Sequence, residues 1–218
     1  MLLQRNWKEI QSGSDKIRIM HFNVLADQLA SAKEFIGTTE EHLDWNHRKL
    51  MLLQIIENIS PDILSLVECD HYQDFWIPEL QKFGLTQSAI VTKNNTEKTH
   101  GVALFIREER FRVLEFDKID DIVAVNSLVL QDKLTEKMLV VASTHLKAKK
   151  KVEIRAEQLS KIKEKYISED RPFILFGDLN TTLEEDAVKK IIQELELRPS
   201  NNLEWTTWKE NYRKRFYF

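Results

Sequence analysis

The chain has 218 residues, 42% of them apolar and 31% charged, with a formal net charge of −3. That length suits a single domain with its own core, and the mild acidity excludes a global positive field for nucleic acid, so a polyanion would need a local patch or a metal ion. One cysteine, Cys69, rules out an internal disulfide and fits a reducing compartment, and no apolar run approaches the ~20 residues of a membrane span.

The first residues, MLLQRNWKEI, carry no signal or transit pattern. The expected location is therefore cytoplasmic, with the nucleus and the mitochondrion as the other readings. Residues 17–25, IRIMHFNVL, alternate and then turn apolar, which predicts a strand with Asn23 near its end. Residues 40–59 place Leu43, Leu50, Leu53 and Ile56 at helical spacing and stop at Ser60-Pro61, so a helix is expected there. DILSLV at 62–67 reads as a short buried strand closed by Glu68, and 72–83 as an amphipathic helix ended by Gly84.

The pattern then changes. Residues 88–92, 102–107, 111–116, 122–130 and 138–143 are strand-like and separated by short polar turns, including one over 94–100. A helix with Lys/Glu pairs on its wet face is expected over 152–167. The stretch RPFILFGDLN at 171–180 reads as a central strand ended by Gly177, with a carboxylate and a carboxamide at its exit. Asp178 and Asn180 there either cap a helix over 181–195 or serve chemistry. No repeat or linker marks a boundary, and the order of elements predicts an α/β fold of two packed sheets with helices outside. A doubly wound parallel fold is disfavoured because the middle third offers no crossover helices.

Four apolar strands thus end in polar residues: Asn23, Glu68, His145, and Asp178 with Asn180. Alone, Glu68 reads as a solvated strand end, His145 as a structural histidine, and Asn23 says little. Together they could line one rim of the sheets, and an oxygen-rich set of this kind suits a hard cation such as Mg²⁺. Zinc is less supported, since Cys69 stands alone and the histidines lack HExxH spacing. No GxSxG elbow supports a serine nucleophile. Lys147, Lys149, Lys150, Lys151 and Arg155 follow His145; they read either as a solvated helix start or as a cationic rim for phosphate.

The ordered motifs FNVL, VE, THLK and GDLN resemble the endonuclease/exonuclease/phosphatase superfamily, and within it the nocturnin-like branch with its deadenylase relatives. The matching segments are HFNVLADQLA, LDWNHRK, PDILSLVECDHY, GVALFIREERF, STHLKAK, the Arg155/Gln158 pair, FGDLNTTLEE and WTTWK, spread over residues 17–209. The resemblance implies a four-layer α/β sandwich of two mainly antiparallel sheets with outer helices, and Mg²⁺-dependent phosphoester cleavage. The implied substrate is the 2′-phosphate of NADP⁺ or NADPH, or, as in the deadenylase relatives, the RNA 3′ end.

Carried over motif by motif, the resemblance implies that Glu68 holds the metal with Asn23 beside it, and that Asp178 orients or deprotonates water. Asn180 would position phosphate, His145 would stabilise phosphoryl charge, and Lys147, Lys149 and Arg155 would bind substrate. No membrane contact is implied, and a monomer is expected. Two departures accompany it. Relatives carry arginine where Lys149 stands, and lysine lacks the bidentate fork. After WTTWK they continue to an Asp-Tyr-Ile strand and a Ser-Asp-His segment, where this chain reads ENYRKRFYF. The expectation is an N-terminal extension over 1–16 and a domain over 17–218 that lacks its final strands. The same gap raises a second expectation: a catalytically silent form that binds nucleotide or a partner.

Overall fold

Apolar runs such as VALFI at 102–106 and FILF at 173–176 fold as strands, and so do mixed stretches such as FRVLEFDKI at 111–119, most of whose residues face solvent. In the computed structural model the described residues are 16–92, 100–121, 123–148, 152–168, 171–181, 189–190 and 192–193. Lys149, nearly all of the turn over 94–100 and of the helix expected over 181–195, residues 205–218 with the WTTWK segment, and all but one residue of the 1–16 extension lie outside them.

The order is β1 (Ile19–Asn23), α1 (Glu40–Leu43), α2 (Trp45–Ile59), β2 (Ile63–Cys69), α3 (Ile77–Gln81), β3 (Leu85–Val91) and β4 (Gly101–Arg107). Then come β5 (Phe111–Ile119), β6 (Ala124–Asp132), β7 (Met138–His145), α4 (Val152–Tyr166) and β8 (Phe173–Asp178). One four-stranded sheet has the order β1-β2-β4-β3, and a second the order β5-β6-β7-β8. Each is mixed. The pairs β1–β2 and β7–β8 are parallel and the others antiparallel.

Side-chain alternation along the strands separates three apolar layers. Leu64, Leu66 and Phe105 pack with Trp45, Ile56 and Trp76 on the helix side of the first sheet. Ile63, Leu104 and Ile106 meet Leu128, Leu130 and Val141 between the sheets. Val125 and Ala142 pack with Leu159 and Ile162 of α4 on the far side. Helix, sheet, sheet, helix: the described residues form the expected four-layer arrangement. Each fully buried leucine or isoleucine contributes about 1.5–3 kcal/mol, enough in sum to fix which face of every strand points inward.

Two helices differ from the sequence pattern. The helix expected over 40–59 is broken at Asp44, which takes an extended conformation and accepts a hydrogen bond from the His47 amide at 3.1 Å, capping α2. Leu50, in the expected apolar stripe, is 63% exposed, while Leu52 and Leu53 pack against the core. The helix expected over 72–83 is a π turn (Tyr72–Trp76) running into α3. Pro78 in the first turn of α3 has no amide to donate, and its ring would crowd the carbonyl four residues back, so the preceding turn widens.

Candidate active site

Two parallel strand pairs, one from each sheet, end at the same rim. Asn23 closes β1, Glu68 stands near the end of β2, His145 closes β7 and Asp178 closes β8. Within the second sheet, His145 and Asp178 are register partners.

Asn23 joins the two halves. Its Nδ2 donates to Glu68 Oε1 at 2.9 Å and to Asp178 Oδ2 at 3.1 Å, while its Oδ1 accepts from the Leu25 amide at 3.0 Å. With the oxygen occupied, the amide nitrogen has to face the carboxylates. His145 Nε2 lies 3.9 Å from both Glu68 Oε1 and Asp178 Oδ2. The Asn180 amide donates to Asp178 Oδ1 at 2.9 Å, and Asn180 Nδ2 donates to the Leu146 carbonyl at 3.0 Å, tying the exit of β8 to the exit of β7.

Glu68 owes its direction to the backbone. The pairing of β2 with β4 shifts register between Val67 and Cys69, and the extra residue, Glu68, sits in the left-handed region at φ 53°. A bulge re-aims one side chain out of the regular alternation, and a non-glycine residue at positive φ persists only where its surroundings impose it. Here it turns a carboxylate toward Asn23. Glu68 Oε2 is buried and accepts no hydrogen bond from the described residues.

Such an orphaned buried carboxylate oxygen is costly unless a cation faces it. The two carboxylates, Glu68 and Asp178, are hard oxygen donors of the kind Mg²⁺ and Mn²⁺ prefer. Among the described residues no group of three or more His, Cys, Asp or Glu is placed to hold an ion unaided. Glu68, with Asp178 at most, would thus supply one or two ligands, which suits an ion that keeps water and substrate oxygens as its others.

The remaining expected residues divide. Lys147 is exposed beside the site. Arg155 is not on the rim: it is 1% exposed, and its Nη1 donates to the Lys147 carbonyl at 3.2 Å. Gln158 Oε1 accepts from the Lys147 amide at 3.0 Å. Both backbone groups of Lys147 are therefore held from below by α4. One residue that the sequence pattern does not single out lies under the carboxylates: His21, whose pKa falls to about 4, chiefly through burial, with Asp178 opposing the shift and His145 adding to it.

Known proteins resemble this chain in sequence and in fold. A model of the Endonuclease/Exonuclease/phosphatase family matches residues 20–216. Nocturnin of Xenopus laevis is 30% identical over 214 residues, covering 86% of this chain and 55% of that protein. The Candida albicans Ccr4 subunit, a 3′-5′-exoribonuclease of the CCR4-Not complex, is 26% identical over 117 residues, covering 50% of this chain and 15% of that protein. The human Nocturnin catalytic domain with bound sulfate anion superposes with a TM-score of 0.68 at 26% identity, covering 82% of this chain and 70% of that one. The chain spans about half the length of the curated Nocturnins it matches.

Proposed function

This chain belongs to the endonuclease/exonuclease/phosphatase family, and we propose that it is a metal-dependent phosphoester hydrolase of nocturnin type, with Mg²⁺ as the ion and the 2′-phosphate of NADP⁺ or NADPH as the group removed. The observation that carries this reading is the convergence of Asn23, Glu68, His145 and Asp178 around the orphaned Glu68 Oε2. Likeness to Nocturnin over most of the chain favours the nucleotide substrate, and the sulfate held by the human relative is an anion of phosphate shape.

In this reading Glu68 holds the ion, with Asn23 beside it. The ion, when bound, supplies charge neutralisation at the phosphoryl oxygens. Hydrolysis of a phosphoester asks the protein mainly for positioning and electrostatic stabilisation. Asp178, locked by the Asn23 and Asn180 donors, presents a carboxylate of fixed orientation to the attacking water and takes its proton. His145 faces both carboxylates and stabilises charge on the phosphoryl group. Asn180 positions phosphate and braces Asp178. Lys147 attracts the substrate's remaining phosphates as a point charge, with Lys149 assigned to the same task, and Arg155 serves that grip from below by fixing the Lys147 backbone.

Removal of adenylates from an RNA 3′ end is the second reading, favoured by the similarity to the Ccr4 exoribonuclease subunit. A silent nucleotide-binding form is the third. One assay separates them: phosphate release from NADPH and adenylate release from oligo(A), with Mg²⁺, beside an Asp178→Asn control. Phosphate from NADPH that disappears in the control supports the first reading. Turnover of oligo(A) alone transfers support to the second. No turnover of either, with NADPH binding by calorimetry, leaves the third.

A further inference from the structure

A second polar row lies one pleat below the site on the same strands. His21 precedes Asn23 on β1 by two residues, and Ser143 precedes His145 on β7 by two, so each pair shares a face. Ser65 precedes Glu68 on β2 by three, the bulge supplying the extra residue. His21 Nδ1 and Ser65 Oγ are hydrogen-bonded at 2.9 Å, and Ser65 Oγ and Ser143 Oγ at 2.5 Å, either hydroxyl being able to donate. The chain of side chains therefore crosses from the first sheet to the second. Asn126, register partner of Ser143, extends the row: its Nδ2 donates across the gap to the Ala89 carbonyl at 2.6 Å.

Ser65, Asn126 and Ser143 are fully buried, in an inter-sheet layer otherwise filled by residues such as Ile63, Leu104, Leu128 and Val141. Apolar packing there is non-directional. It holds the sheets together without fixing their lateral offset, whereas a hydrogen bond has a preferred distance and angle. The offset matters because the site is divided. Asn23 and Glu68 come from one sheet, His145 and Asp178 from the other, and a displacement of about 1 Å in such a site can cost on the order of 10²-fold in rate.

We propose that His21, Ser65 and Ser143 form a strut that sets the separation of the two half-sites, making them positioning residues for the reaction. The inference rests on the two-sheet hydrolase site described above and deepens it. None of the three touches the reacting atoms. A network of buried hydroxyls specifies one arrangement more sharply than aliphatic packing does.

The test compares Ser65→Ala, Ser143→Ala, the double variant, Ser143→Thr, and Val141→Ala as a packing control from the same strand and layer. Three quantities are measured on the whole chain: melting temperature, Mn²⁺ affinity by calorimetry, and kcat with KM on NADPH with Mg²⁺. Each Ser→Ala change is expected to weaken Mn²⁺ binding and lower kcat about tenfold, the effect of roughly one hydrogen bond's worth of free energy, with KM within about twofold. The double variant loses no more than either single, Ser143→Thr recovers most of the loss, and Val141→Ala lowers the melting temperature without touching kcat or Mn²⁺ affinity. Native kcat and Mn²⁺ affinity in the Ser→Ala variants, or losses that merely follow melting temperature as in Val141→Ala, overturn the strut. If the native chain binds Mn²⁺ but releases no phosphate, the NADP(H) phosphatase reading fails and the strut is judged on Mn²⁺ affinity alone. If it binds no Mn²⁺, the strut falls with the site.

Discussion

His145 and Asp178 are register partners across the parallel pair β7–β8, and their side chains meet with Nε2 3.9 Å from Oδ2. That meeting depends on the residue before Asp178. Gly177 stands opposite Thr144 at φ 151°, and a Cβ placed on it would lie 2.0 Å from the Thr144 carbonyl oxygen. Gly177→Ala must push the strands apart. A loss of stability well above the ~1 kcal/mol scale of ordinary glycine substitutions is expected, read as a lower urea midpoint. An unchanged midpoint would contradict this account of the strand pair.

Glu68 and Asp178 both draw on the single Asn23 amide group, and among the described residues Glu68 Oε2 has no donor of its own. In the proposed reading this arrangement is destabilising without metal and is kept for function. Glu68→Gln should therefore melt no lower than the native chain in chelator. Adding Mg²⁺ at a hundred times its Kd should stabilise the native chain by about 2.7 kcal/mol and leave the variant unmoved. A variant that melts markedly lower in chelator would show that Glu68 serves the fold instead.

Asp178 is held by donors on both oxygens, from Asn23 and from the Asn180 amide. An asparagine in its place keeps the shape, gives up one of the two accepted hydrogen bonds and, in the proposed mechanism, loses the base. Asp178→Asn should lower kcat by about 10²–10⁴-fold with KM nearly unchanged, measured as phosphate release. An equal fall in kcat and rise in KM would point to substrate binding instead.

His21 titrates at about 4 in the folded chain against 6.5 ordinarily, chiefly because burial disfavours its charged form. Between those values the unfolded chain binds the extra proton, so stability is full above pH 6.5 and is lost as pH falls toward 4. The slope from this group approaches about 1.4 kcal/mol per pH unit. Urea melts across pH 4 to 7 should show it, and His21→Gln should flatten it. A slope unchanged by the substitution would assign the acid sensitivity elsewhere.

Much of the site is legible in the sequence because its residues sit where apolar runs stop. PFILFG before Asp178 and DILSLV before Glu68 announce buried strands, and a charge at such an exit invites an explanation. Backbone detail leaves no such mark. Glu68 at positive φ looks like any strand-end glutamate, since nothing in its neighbours signals a bulge. Arg155 reads among the lysines as a surface cation; its long stem lets the guanidinium lie buried against the Lys147 carbonyl. Ser65 and Ser143 do not stand out, because a small hydroxyl inside an apolar strand barely alters the pattern while a partner across the sheets decides its role. The break at Asp44 is hidden for a related reason: leucines at helical spacing run through it, and only the capping geometry reveals two helices.

The most direct measurement is a Mn²⁺ titration of the whole chain by calorimetry, repeated with Glu68→Gln. Saturable binding to the native chain that weakens by more than about 100-fold in the variant, beyond the range typical of outer-shell changes, is the predicted result. Binding of equal strength in both, or none in the native chain, would contradict a metal pocket built from the ends of two sheets.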